Sequence, residues 1–308
     1  MIEVAIMIEG QNGLNWPRWQ RIATAVEQLG FAGLYRSDHY TNANPPDLDS
    51  LELWVSLTWL ASHTGRIEFG PLVSPVSFRH PTMTARMAAA VDDLSGGRLT
   101  LGLGAGWQAR EHSNYGWALL GPGPRFDRFE EGLKIITHLL QHAEPLTFEG
   151  AHYKLKDAVV LPRPARPGSP RLLIGGNGAR RTLSYVAQYA SEWNAVYIPV
   201  SKFRELNAKL DELLAGRGRD PKGVRRSLMT GLRFGRDDAE LGRKLAERGT
   251  SASDLRGAGL IVGRPSAVVD QLGELAEAGV QRVMVQWLDL DDMDGLEALG
   301  AGVLPQVR

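Results

Sequence analysis

The sequence predicts a single (β/α)8 TIM barrel, and three observations carry that prediction. Short apolar runs alternate with longer amphipathic stretches along the whole chain. The alternation divides into eight strand–helix units, and strands alternating with helices imply a parallel sheet. The chain has 308 residues, the usual size of a closed barrel of this kind. A doubly wound open sheet is the alternative; it needs a topological switch point that a sequence does not display. On this reading residues 1–308 form one domain.

The elements follow in order. Val4 to Ile8 is the first strand. Trp19, Ile22, Ala23, Val26 and Leu29 recur at helical spacing, with Asn15 as N-cap and Gly30 as the stop. Phe31 to Arg36 is the second strand. Asp49 followed by Glu52 reads as a capping box for a helix that runs to about His63. Ile67 to Gly70 is the third strand, Thr82 to Leu94 a helix stopped by Ser95-Gly96-Gly97, and Leu99 to Leu103 the fourth strand. Phe126, Phe129, Leu133, Ile136 and Leu140 mark one face of the next helix. Pro145 to Pro170 breaks the rhythm: Leu146-Thr147-Phe148, a turn at Gly150, and His152 to Leu155 predict a hairpin inserted before the fifth strand. Leu172 to Ile174 is that strand, and its helix starts at about Ala179. Trp193 to Tyr197 and Ser227 to Phe234 are the sixth and seventh strands, with helices at Lys202 to Leu214 and Asp238 to Arg248. The connection from Arg248 to Gly263 is long and polar; Gly249, Gly257 and Gly259 suggest a mobile lid. A helix at Pro265 to Ala278, the eighth strand at Arg282 to Trp287 and a helix at Met293 to Val303 complete the count.

Composition narrows the function. The chain is 43% hydrophobic and 23% charged, an ordinary soluble balance. Acids and bases match at 35 each, with no concentrated basic run, which argues against a nucleic-acid partner. With no cysteine, disulfides, thiolate metal sites and a Cys nucleophile are excluded. MIEVAIMIEG lacks the basic start of a signal peptide, and no apolar run is long enough for a membrane span, so the expectation is a cytoplasmic protein without a membrane partner. No Walker A, HExxH or GxSxG pattern is present. His138 and His142 share a helix face that reads as exposed, and no metal site is expected.

In a closed barrel the chemistry sits on the loops after the C-terminal ends of the strands. Ser37-Asp38-His39 follows the second strand. A carboxylate beside an imidazole can hold a cofactor hydroxyl or move a proton; equally, Asp38 can cap a turn beside a satisfied surface histidine. Gly70-Pro71-Leu72-Val73-Ser74-Pro75 suggests an irregular end to the third strand, or a plain tight loop. Gly102-Leu103-Gly104-Ala105-Gly106-Trp107 allows close backbone approach to a planar ligand, or is simply a tight turn; Trp107 stands where a dinucleotide fingerprint would continue. Gly175-Gly176-Asn177-Gly178, placed before a helix, is the best candidate for a phosphate.

Together these loops form a known pattern. Arg79-His80-Pro81, Ala85-Arg86, Asp92-Asp93-Leu94-Ser95-Gly96-Gly97-Arg98 and the Gly102–Trp107 run resemble the signature around strand 4 of the luciferase-like (β/α)8 oxidoreductases. Ile174 to Gly178 followed by Ala190-Ser191-Glu192-Trp193-Asn194 resembles the second signature, and Ser37-Asp38-His39 resembles the motif of the coenzyme F420 branch. The resemblance covers Met1 to about Pro305. It implies that Asp38 and His39 line a deazaflavin and act at its ring. It implies that Leu72-Val73, with Ser74 beside them, form a bulge with a cis non-proline peptide behind that ring. It also implies that Gly104, Ala105, Gly106 and Trp107 lie along the cofactor, and that Gly175, Gly176, Asn177 and Gly178 take its phosphate.

The pattern departs from that of the sugar-phosphate dehydrogenases of the branch. They carry an acid near the position of Trp107 and a Trp soon after the Asp-His pair; Tyr40 to Asn44 holds none. Glucose 6-phosphate is thus a doubtful substrate, and Glu9, Glu111 and His112 are the nearest alternative acid–base groups. The expected activity is F420-dependent hydride transfer to or from a small organic molecule. The alternatives are an FMN monooxygenase using O2, and a non-catalytic cofactor carrier or subunit. A homodimer is an open expectation.

Overall fold

The computed structural model describes residues 1–247 and 249–307. Arg248, where the predicted seventh helix ends and the polar connection begins, lies outside the described residues, as does Arg308. The chain begins with β1 (Glu3–Ile8), α1 (Trp16–Leu29), β2 (Gly33–Arg36), α2 (Leu53–His63), β3 (Glu68–Pro71), β4 (Ser74–Pro75), α3 (Pro81–Leu94) and β5 (Thr100–Gly104). It continues with α4 (Ala109–Asn114), α5 (Pro122–Gln141), the hairpin β6 (Leu146–Glu149) and β7 (Lys154–Ala158), then β8 (Arg171–Gly175), α6 (Thr182–Tyr189), β9 (Glu192–Val196) and α7 (Val200–Ala215). It ends with β10 (Arg225–Phe234), α8 (Asp238–Ala246), α9 (Ala252–Gly257), β11 (Ile261–Gly263), α10 (Pro265–Glu277), β12 (Arg282–Gln286) and α11 (Met293–Val307).

The main sheet is parallel and runs β3-β2-β1-β12-β10-β9-β8-β5-β4. β3 and β4 are one barrel strand interrupted at Leu72–Val73, whose peptide is cis. The ring closes between β3 and the approach to β5, where Phe69 pairs with Leu99 and its N–H donates to the Arg98 carbonyl at 3.1 Å. This is the closed barrel, not the open sheet.

Alternation along each strand separates two cores. On β1, Ala5 and Met7 point into the barrel with Tyr35, Leu72, Leu173, Met229 and Met284. Val4, Ile6 and Ile8 join the larger layer between strands and helices. The N-terminal end of the barrel is filled by charge. Buried Arg282 donates to Tyr35 Oη at 2.6 Å and pairs with Glu3 at 2.6 Å and Glu68 at 2.8 Å. Burial works against the Glu68 carboxylate, but Arg282, Arg225 and Arg171 outweigh it and hold its pKa at about 2.

Local signals account for several boundaries. Asn15 Oδ1 accepts from Arg18 N at 3.3 Å, and Gly30 ends α1 at φ 90°. The hairpin forms where predicted, as antiparallel β6 and β7. Others differ. The cap of α2 is Glu52, whose carboxylate accepts from Val55 N at 2.7 Å; Asp49 instead accepts from Asn15 Nδ2 at 3.2 Å. The helix after the fifth strand begins at Thr182, not Ala179. From residue 249 the polar connection is not a free cover. It contains α9 and β11, and β11 pairs in parallel with the end of β10 through Leu232 and Ile261. Thr230 Oγ1 donates to the Gly259 carbonyl at 2.6 Å. No described residue of the connection lines the main cavity at the barrel mouth, so the lid expectation is withdrawn. Among the described residues, no helix is long and apolar enough to cross a membrane.

Candidate active site

The C-terminal mouth of the barrel holds a cavity of about 430 Å3. Its floor is Met7, Leu72, Val73 and Met229, side chains that continue the inner core. The glycine loops after β5 and β8 form one wall. His39, Glu9 and Gln11 stand on the opposite side, and Trp107 and Tyr197 stand at the rim.

Glycines let the broken strand press against its neighbours. A Cβ on Gly70 would lie 1.9 Å from the Thr100 carbonyl oxygen, and one on Gly102 would lie 2.1 Å from that of Pro71. A Cβ on Gly104 would meet Val73 Cγ2 at 2.5 Å, and one on Gly175 would meet Val73 Cγ1 at 3.1 Å. These glycines are therefore needed for close approach, and they seat the Leu72–Val73 bulge at the cavity floor. Gly106 and Gly176 also adopt positive φ, at 85° and 123°.

His39 follows β2 and is mostly buried, with Nδ1 3.0 Å from Glu111 Oε1. Glu111 reaches it from α4, a short helix the sequence reading did not include. Burial pulls the His39 pKa down, but the Glu111 hydrogen bond and the charges of Glu111, Glu9 and Asp38 outweigh it and raise it above the ordinary value. The Trp107 ring stands edge-on to His39, centroids 5.5 Å apart, and is 62% exposed. It therefore has a face free of protein packing at the mouth.

Asp38 and His39 are adjacent in sequence but diverge in space. Asp38 is buried and does not line the cavity. It accepts from Ser74 Oγ at 2.7 Å and from Arg79 Nη1 at 2.5 Å and Nη2 at 3.2 Å. Arg79 also pairs with Glu52 at 2.8 Å. Asp38 and Ser74, expected at the cofactor, tie β2 to β4 and the start of α3, and neither lines the cavity. His112 lines the cavity, but its nitrogens are engaged, Nδ1 with the Gln108 carbonyl at 2.6 Å and Nε2 with Ser77 Oγ at 2.8 Å. Asn177 pins β9, exchanging hydrogen bonds with Val196 at 2.7 and 2.9 Å. Gly178 is exposed, and neither it nor Asn177 lines the cavity. Of the phosphate loop, Gly175 and Gly176 do.

The sequence reading named Glu9 but missed the polar groups Gln11, Asn194, Tyr197 and Gln286 around it and in the cavity wall. Glu9 accepts from Gln286 Nε2 at 2.7 Å and from Gln11 Nε2 at 3.0 Å. Gln286 Oε1 accepts from Tyr197 Oη, and Gln11 Oε1 accepts from Ser37 Oγ at 2.8 Å. Asn194 is fully buried in the cavity wall. Its Nδ2 donates to Ser227 Oγ at 2.9 Å, because the Ser227 hydroxyl proton goes to the Trp193 carbonyl. Among the described residues, Asn194 Oδ1 has no hydrogen-bond partner. Such an atom suits a ligand N–H or O–H donor. A signal existed: Asn194 lies two positions from Glu192, on the same face of a strand whose other residues are apolar.

The arrangement offers a cavity with an apolar floor, two imidazoles of which His112 has both nitrogens engaged, and the acceptors Glu9, Glu111 and Asn194. Among the described residues, no Lys or Arg lines it. Lys244 lies in a neighbouring cleft of about 360 Å3, where Glu240 and Asp292 pair with it at 2.9 and 3.0 Å.

Residues 3–260 match the model of the luciferase-like monooxygenases, and the chain belongs to that family. It is 30% identical over 225 residues to an F420-dependent glucose-6-phosphate dehydrogenase of Kineococcus radiotolerans. That match covers 71% of this chain and 64% of the relative, so the chain spans under two thirds of that protein. A protein of the same description from Intrasporangium calvum is 27% identical, with 92% of each chain covered. Among solved structures, an F420-dependent secondary alcohol dehydrogenase holding an F420–acetone adduct superposes with a TM-score of 0.86 over 100% of this chain and 99% of its own, at 16% identity. That likeness establishes the shared fold.

Proposed function

We propose that this chain is an F420-dependent oxidoreductase acting on a small, uncharged carbonyl or alcohol. The observation that carries the reading is His39, held by Glu111 at one side of a slot floored by the Leu72–Val73 bulge. The residues fit a deazaflavin. The glycines at 104 and 106 bring bare backbone to the cavity beside which a flat ring would lie, and Asn194 Oδ1, without a hydrogen-bond partner among the described residues, suits a cofactor N–H or O–H. When bound, the deazaflavin supplies the hydride chemistry. The protein's part is to orient, to exclude water and to move one proton at His39 Nε2. Trp107 would cover the substrate at the rim, and the backbone at Gly175 and Gly176 would meet the cofactor phosphate. A slot without Lys or Arg among its described lining residues disfavours a sugar phosphate, despite the names of the relatives.

The match to the monooxygenase family model favours one second reading, reduced FMN with O2. Parallel fluorescence titrations of the apoprotein with F420 and FMN test the choice. Tight F420 binding with weak FMN binding supports the first reading, and the reverse overturns it. The reading also takes residues 1–308 as one luciferase-like domain in the cytoplasm. It includes a homodimer, for which light scattering would give twice the 33.7 kDa chain mass.

A further inference from the structure

We infer that a second cleft beside the barrel mouth, between the loop after β4, α5 and the β6–β7 hairpin, binds an oxyanion, a carboxylate or a phosphate, on Arg128, His80 and His152. The site is separate from the main cavity and does not depend on the hydride-transfer reading.

The cleft has a volume of about 350 Å3. Phe78 lines both it and the main cavity, and Ser77 at its edge meets Nε2 of the cavity residue His112 at 2.8 Å. The two spaces therefore share a wall at the mouth. Residues 76–80 lead from β4 into α3, Arg128 stands on the second turn of α5, and His152 and Tyr153 belong to the hairpin. Tyr153 Oη donates to the Val76 carbonyl at 3.3 Å, which fixes the hairpin against the loop. Arg79, His80, Arg128 and His152 line the cleft, and among its described lining residues there is no carboxylate.

A lining cation attracts an anion only where it is not already paired. Arg79 is neutralised by Asp38 and Glu52. Arg128 is not: among the described residues it forms no ion pair, its Nη2 donates to the Ala118 carbonyl at 3.2 Å, and its buried Nε has no hydrogen-bond partner. A guanidinium keeps its charge in a protein, so Arg128 is a permanent cation with donors to spare. The acids around it on α5 are engaged elsewhere. Asp127 pairs with Arg181 at 3.0 Å and Glu130 with Lys134 at 2.9 Å. Glu131 accepts from the N–H groups of Ala151, His152 and Tyr153 at 2.8, 2.9 and 3.1 Å.

His80 adds a fixed donor. Its Nδ1 caps α3 by accepting from Thr82 N at 3.4 Å, and a backbone N–H only donates, so the hydrogen of the neutral ring sits on Nε2. Burial holds the His80 pKa below its ordinary value, in keeping with a neutral ring. The His152 ring makes no hydrogen bond among the described residues. One permanent cation and two imidazoles without a lining acid suit an oxyanion, whose oxygens accept from several donors at once. That oxyanion belongs either to the acidic end of a cofactor seated in the main cavity and reaching past Phe78, or to a separate small acid.

The test is calorimetric titration of the purified protein with inorganic phosphate, citrate, F420 and an uncharged deazaflavin that lacks phosphate and acid groups. It is repeated on Arg128→Gln, His152→Glu and Lys134→Gln; the last removes the same charge from α5 without touching the cleft. Phosphate or citrate should bind saturably, and Arg128→Gln and His152→Glu should weaken that binding about tenfold or more, the worth of one hydrogen bond to a charged group. Lys134→Gln should leave it unchanged. The same loss on F420, with the uncharged deazaflavin unaffected, supports the site and identifies the cofactor's acidic end as its ligand. An unchanged F420 affinity beside weakened phosphate or citrate identifies a separate acid. The proposal is overturned if no acidic ligand loses affinity in Arg128→Gln and His152→Glu, or if Lys134→Gln matches their loss. If Arg128→Gln does not fold, His152→Glu on the hairpin decides it. Phosphate or citrate binding without F420 binding would sink the hydride reading and leave this site standing.

Discussion

Gly104→Ala and Gly102→Ala should separate function from stability at two positions on one strand. The added Cβ at 104 lies 2.5 Å from Val73 Cγ2, roughly 1.3 Å inside ordinary contact. Val73 is half-buried and borders the cavity, so it can yield into open space. The stability cost should stay near the low end of overpacking, about 1 kcal/mol, but the floor moves by about 1 Å into the cavity. A displacement of that size in a fitted site can lower turnover about 100-fold. At 102 the Cβ lies 2.1 Å from the Pro71 carbonyl oxygen, which cannot move without its strand. A cost of about 3 kcal/mol follows. With an unfolding entropy of roughly 0.65 kcal/mol/K for 308 residues, Tm should drop by about 5 °C. Calorimetry and F420 titration on both variants form the assay. Equal Tm losses, or a Gly104→Ala protein with unchanged F420 affinity and turnover, would refute the close-approach reasoning.

Three more predictions follow from the same geometry. Asp38→Ala leaves Arg79 without its buried partner and should cost about 3 kcal/mol in urea unfolding. Its folded fraction should still bind F420, and loss of binding without loss of stability would return Asp38 to the cofactor site. Trp107→Ala should raise KM for substrate up to about tenfold, the worth of one aromatic contact, with little change in F420 affinity; a selective loss of F420 affinity would place the ring under Trp107 instead. Glu68, held at about 2 in the folded state against an ordinary 4.5, stabilises fully above pH 4.5. That contribution, about 3 kcal/mol, is lost as pH falls toward 2. Glu68→Gln should flatten the fall of Tm over that range, and an unchanged acid profile would show that the Arg282 cluster contributes nothing.

The sequence by itself determined the repeating architecture and its local boundaries, because those depend on neighbours a few residues apart. Eight apolar runs, the Asn15 cap, the Gly30 stop and the Gly150 hairpin are signals of that range. The loops that line the cavity were also legible, since a closed barrel brings its strand ends to one mouth. The roles within those loops were not. His39 and Glu111 are 72 residues apart, and Asp38 and Arg79 are 41 apart. Only closure of the barrel set the first pair at the cavity and the second behind it. The glycines showed that something approaches closely, but not that Val73 and the Pro71 carbonyl do. The polar 249–263 stretch looked mobile because strand pairing of β11 with β10 leaves no periodic signal in three residues. Tertiary structure decided these points because a side chain's hydrogen bonds go to whatever the fold brings within about 3 Å, and sequence distance does not constrain that choice.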